Sequence, residues 1–183
     1  RKVTHFSIGG EKMSVATLTE SPSGSIVLYP GVYTITPEET GEYIDAEPQT
    51  LSVRAMADFD SSHTGARVYL EGTYNDKMAA AALEAAVALT ESCATVSGRT
   101  DTACPGAINS RPRSFLEVKT MPTTVEVADG GVYFAEATYT IQRTLSGSKR
   151  HDMTFRVTAK LKTDKDGIPE LDASGKPQFE VRF

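Results

Sequence analysis

Two cysteines, Cys93 and Cys104, are the most reactive side chains in this chain of 183 residues, and ten residues separate them. A zinc site needs three or four ligands in paired spacing, whereas the three histidines, His5, His63 and His151, are scattered. A dithiol redox centre normally has the shorter CxxC spacing. Two readings remain, a pair of free buried thiols or one local disulfide. The intervening residues, Ala-Thr-Val-Ser-Gly-Arg-Thr-Asp-Thr-Ala, are polar and turn-rich. Closing a loop of that length stabilises a fold by about 3 kcal/mol in the chain-entropy treatment. The expectation is a Cys93–Cys104 disulfide and, with it, an oxidising extracytoplasmic compartment. The alternative is a cytosolic protein with two unrelated thiols. The same pairing argues against Cys93 as a nucleophile.

Other chemistry-bearing groups have simpler readings. Glu38, Glu39, Glu42, Asp45 and Glu47 fall within ten residues that include no Lys or Arg. A hard cation takes such oxygens, but the spacing matches no calcium loop, so the expectation is a solvated acidic loop able to attract a basic partner. In the stretch from Lys162 to Gly167, taking Gly167 as the sixth loop position puts Lys162 at the first and Ala173 at the twelfth. Both positions should be acidic, so Asp166-Gly167 and Ser174-Gly175 read as turns. Asp60, Ser61, Ser62 and His63, with His151 and Asp152, supply the residue types of a hydrolase triad. No nucleophile-elbow motif accompanies them, and they read as a loop and an exposed turn. No catalytic residue, metal or cofactor is assigned. Five of the seven tyrosines lie in the first 74 residues. Tyr29, Tyr33 and Tyr43 form a candidate aromatic surface, although tyrosine is also an ordinary strand residue.

Composition narrows the class. Apolar residues make up 39% and charged residues 23%, as in globular chains rather than disordered ones. A net charge of −5 argues against nucleic acid and anionic lipid as partners, because both recruit basic patches. No apolar run approaches the roughly 18 residues of a membrane span. Opening at Arg1 reads as a mature form or an excised domain, with any anchoring segment expected upstream. Residues 1–72 carry 5 basic and 10 acidic groups, whereas 73–183 carry 14 of each. Two modules with these boundaries are expected.

The elements that would hold these groups are mostly strands. Lys12–Thr19, Ser25–Tyr29, Val32–Thr36 (ended by Pro37), Thr50–Met56 and Ala66–Leu70 are short β-branched or aromatic runs between turn residues, the pattern of a small β-sandwich. From Asp76 to Cys93 the chain turns Ala- and Leu-rich without Gly or Pro, which predicts one long helix capped by Asn75 or Asp76. Ala79, Leu83, Ala86, Val87 and Thr90 share one expected face. Beyond Pro112 the alternation is clean. Tyr133, Ala135, Ala137, Tyr139 and Ile141 should face inward, as should Met153, Phe155, Val157, Ala159 and Leu161, and then Phe179, Val181 and Phe183. An antiparallel sheet with one dry face needs a cover, and the helix supplies it. The predicted class is therefore α+β, mostly β, with a cystatin-like or NTF2-like second module.

Two segments resemble known families. Ser25–Ile35, with Pro30-Gly31 before Val32-Tyr33, is similar to the Pro-Gly turn of PEGA-type and TcaA-like envelope β-modules. The helix ending at Cys93, the Cys104-Pro105 pair and the strand-rich tail resemble extracytoplasmic domains of actinobacterial single-pass membrane proteins. Gly106 stands where many of those have an aromatic. The resemblance implies an ectodomain anchored by an upstream helix, and it carries over no catalytic residues. The functional expectation is a non-enzymatic binding or scaffolding module whose partner is another envelope protein, met through a sheet edge or the acidic loop. The alternatives are an NTF2-like enzyme or small-molecule carrier, and an adhesin or cell-wall glycan binder using the tyrosines.

Overall fold

The structure, a computed structural model, describes residues 3–16, 26, 28–54, 68–94, 102–109, 113–143, 149–165 and 167–183. The fold is α+β and mostly β, with one long helix packed on an antiparallel sheet. The chain divides into two compact units, Arg1–Asn75 with Asp166–Ile168, and Asp76–Lys165 with Pro169–Phe183.

In the first unit, β1 (His5–Ile8) and β2 (Glu11–Ser14) form a hairpin across Gly9-Gly10. Both glycines have positive φ, 60° and 88°, which L side chains adopt only with strain and which the tight hairpin turn requires. With β3 (Gly31–Glu38) and β5 (Gln49–Val53) they make an antiparallel sheet in the order β2-β1-β3-β5. Phe6, Ile8 and Ile35 are its buried centre, and Met13, Tyr33, Leu51, Ile26, Leu28, Val68 and Leu70 pack around them. A second pair joins β4 (Ile44–Ala46) to β6 (Gly72–Tyr74).

Several strand boundaries differ from expectation. Pro37 does not end β3, because β5 pairs with it only as far as Ile35, and Pro37 faces Phe6 of β1. Among the described residues no strand pairs with Pro37 on the β5 side, where a missing N–H breaks no ladder bond. Of Ser25–Tyr29 the described residues are Ile26, Leu28 and Tyr29, and none is in a strand; nor are Val68–Leu70. Their aliphatic side chains still pack on the core, so burial rather than pairing explains their apolar character. β2 stops at Ser14 and β5 at Val53, with the rest of those two runs mostly outside the described residues.

The second unit is built on α1 (Asp76–Ala94) and the strands β7 (Arg113–Thr120), β8 (Glu126–Ala128), β9 (Val132–Arg143), β10 (His151–Leu161) and β11 (Phe179–Arg182). The sheet runs β11-β10-β9-β7 with β8 also on β9, and every pairing is antiparallel. Register shifts between Arg113 and Phe115 and between Val118 and Thr120 mark bulges that bend β7. A short helix, α2 (Gly106–Asn109), precedes β7. The inward set of β9 is as the alternation predicts, with Tyr133, Ala135, Ala137, Tyr139 and Ile141 all buried. On β10, Val157, Ala159 and Leu161 are buried and Met153 and Phe155 half-buried.

The buried face of α1 includes Ala86 and Thr90 as expected and differs from the expected set at its other three positions. Met78, Ala82, Ala86, Thr90 and Cys93 are the buried residues, while Ala79, Leu83 and Val87 flank them half-exposed. In a helix rich in alanine the apolar residues run almost all the way round, so composition barely marks a face. Contacts at its last turns set the rotation.

Candidate functional site

The end of α1 is held by covalent and polar ties that reinforce one another. Cys93 bonds Cys104 across a Cα separation of 5.6 Å, and both are buried. One turn earlier the Thr90 hydroxyl donates to the Ala86 carbonyl at 2.8 Å. The Tyr139 hydroxyl, rising from the middle of β9, donates to the Thr90 carbonyl at 2.9 Å. Burial pushes the Tyr139 phenol up from 10.0 to about 12, and the bond to Thr90 offsets part of that rise. The Tyr139 ring meets Phe155 at 6.0 Å and Phe183 at 5.9 Å, edge to face, and those two meet at 6.2 Å. The backbone N–H of Phe183 donates to the Ala103 carbonyl at 3.0 Å, beside Cys104. Beyond the disulfide the N–H of Ile108, fully buried, donates to the Pro105 carbonyl. Helix end, disulfide segment and last strand thus share one core.

The outer face of this sheet is polar and ordered by register. Lys119 pairs with Asp152, which also accepts from the Thr140 hydroxyl at 2.8 Å. Those two hydrogen bonds, Lys119's first, hold the Asp152 carboxyl below the usual carboxylate range. Thr138 and Thr154 share a hydroxyl bond at 2.9 Å. Arg156 donates to Glu126 at 3.0 Å and covers the Phe134 ring at 4.1 Å, while Arg150 covers Phe115 at 3.7 Å. Asp152 is thus a fixed, ionised acceptor rather than a poised base. The surface displays matched donors and acceptors. His151, with Asp152, is the start of β10 rather than an exposed turn before it. Asp60, Ser61, Ser62 and His63 lie outside the described residues.

The acidic segment is not a single loop. Glu38 ends β3, Asp45 lies in β4, and Glu39 adopts a left-handed conformation at φ 55°. Lys12 lies 3.7 Å from Glu38, and the His5 ring nitrogen lies 3.3 Å from Glu39. The Asn75 side-chain amide donates to the Glu42 carbonyl at 3.0 Å and to the Asp45 carboxylate at 3.1 Å, and its backbone N–H donates to the Tyr43 carbonyl. Glu39, Glu42, Asp45 and Glu47 are exposed and Glu38 half-buried. These basic partners sit about 26 to 34 residues upstream in sequence and reach the acids only through β1–β3 pairing, so local composition gives no signal for them.

Of the aromatic surface, Tyr29 is 86% exposed, while Tyr33 and Tyr43 are half-buried. Tyr33 donates its hydroxyl to the Tyr29 carbonyl at 2.8 Å, tying the two together. In the stretch after β10 that reads as turns, Thr163 bridges to Pro169 and Leu171 to Pro177. Asp172 accepts from the Ser174 hydroxyl and from the N–H groups of Ser174 and Lys176, which lowers its pKa and makes a turn. Among the described residues no group of three His, Cys, Asp or Glu is placed to hold a metal ion, and no helix is long and apolar enough to cross a membrane. No family model, curated protein or solved structure matches this chain.

Proposed function

We propose that this chain is a non-enzymatic extracytoplasmic binding or scaffolding ectodomain of a bacterial cell-envelope membrane protein, of the actinobacterial single-pass kind. It is anchored by a segment upstream of Arg1 and meets another envelope protein. The observation that carries the reading is the buried Cys93–Cys104 disulfide at the end of α1, a bond that persists in oxidising compartments and is rare in the cytosol. On this reading the first unit is a small PEGA-like sandwich and the second a cystatin-like helix on a sheet.

An NTF2-like carrier would need an open cavity between helix and sheet. Ala86 and Cys93 instead pack in one cluster with Tyr139, Ile141 and Val157, which supports the scaffold over the carrier. Glycan binding would use Tyr29 and Tyr69, the largely exposed tyrosines of the first unit among the described residues. The compartment is tested by expressing the chain behind its native upstream sequence and trapping thiols with an alkylating agent in intact cells. The expected mass shows no alkylation until a reductant is added. Two alkylated thiols without reductant, in protein recovered from the cytosol, would overturn the proposal.

A further inference from the structure

We propose that the open edge of β10, Asp152–Arg156, pairs antiparallel with the same edge of a second copy about a two-fold axis through Thr154. β10 is covered on one side by β9 along nearly its whole length, but β11 pairs with it only from Thr158 to Leu161. Among the described residues no strand pairs with the remaining stretch on the β11 side. The direction of its backbone groups follows from printed bonds at the strand's end. Leu161 donates toward Gly131 on the β9 side, while Lys162 donates toward Gln178 on the other. Pairing with β9 runs without a register shift, so alternation turns the N–H and C=O groups of Asp152, Thr154 and Arg156 outward. An edge of that kind is a template for another strand.

The side chains say which strand. Asp152 and Arg156 lie equally far from Thr154 and carry opposite charge, both on the polar face. With Thr154 on the axis, Asp152 of one copy faces Arg156 of the other, twice over, and the three outward residues form hydrogen-bonded pairs. Met153 faces Phe155 on the apolar side. Moving the axis to Met153 would set Arg150 against Arg156. Moving it to Phe155 would set Asp152 against Thr158, whose edge β11 already occupies. The edge is therefore self-complementary in one register. Five residues a side bury less than the usual stable interface, so the dimer is a weak one. This inference does not depend on the compartment proposed above.

Sedimentation velocity of the oxidised chain over a concentration series is expected to show a monomer–dimer equilibrium. D152R and R156D each set like charges across the axis and are each expected to weaken the dimer about tenfold. An equimolar mixture restores opposite charges at both positions and is expected to regain it. Circular dichroism of each variant checks that it is folded. A charge-neutral route is Thr154→Cys, which should give a covalent dimer on mild oxidation faster than Lys160→Cys, because opposed hydrogen-bonded residues lie at about 5.5 Å, within disulfide reach. The inference is overturned by a chain that stays monomeric at millimolar concentration. A dimer indifferent to both charge reversals, or equal cross-linking at the two cysteines, overturns it as well.

Discussion

Tyr139 does two jobs at the residue scale, because its ring joins Phe155 and Phe183 while its hydroxyl reaches the Thr90 carbonyl. Tyr139→Phe keeps the ring contacts and removes the hydroxyl, so unfolding free energy should fall by about 1 kcal/mol in denaturant titration. The Cys93→Ser, Cys104→Ser double variant should lose about 3 kcal/mol by the same measurement. The disulfide was legible because its signal is local: two cysteines, a turn-rich spacer and a helix end. The partners of the acidic residues were not. Lys12 and His5 meet Glu38 and Glu39 only because β1 lies beside β3 in one register, which no local composition records.

At the scale of elements, α1 and β9 show what patterning can and cannot reveal. In β9 bulky and polar residues alternate strictly, and the buried set follows residue by residue. In α1 alanine fills most of the circumference and Lys77, Glu84 and Glu91 mark the exposed side, so Cys93 and the Tyr139 bond to Thr90 fix a rotation that hydrophobicity alone leaves loose. The consequence is close packing around Ala86, which is 1% exposed. Ala86→Leu should overpack that contact and cost about 2 kcal/mol in thermal or chemical unfolding. Ala80→Leu, on the exposed side of the same helix, should change stability by less than about 0.5 kcal/mol. Pro37 and β4 carry a parallel lesson: a proline sits within a strand when the neighbour stops short, and a three-residue strand hides inside an acidic run.

For the molecule as a whole, stability should be a plateau against pH with a fall at each end. Asp152 and Asp172 are held below the ordinary carboxylate range, so what they contribute is present above it and is lost as pH falls through their folded values. Tyr139 is raised from 10.0 to about 12, so its contribution is whole below pH 10.0 and fades as pH rises toward 12. Melting temperature measured across pH should trace both limbs, and Tyr139→Phe should flatten the alkaline one. The disulfide has a mechanical consequence too. It bridges a sequence separation of 11 across 5.6 Å, so a chain pulled from its ends cannot pay out that slack while the bond is intact. In an optical trap the oxidised chain should stop lengthening roughly 30 Å short of the reduced one.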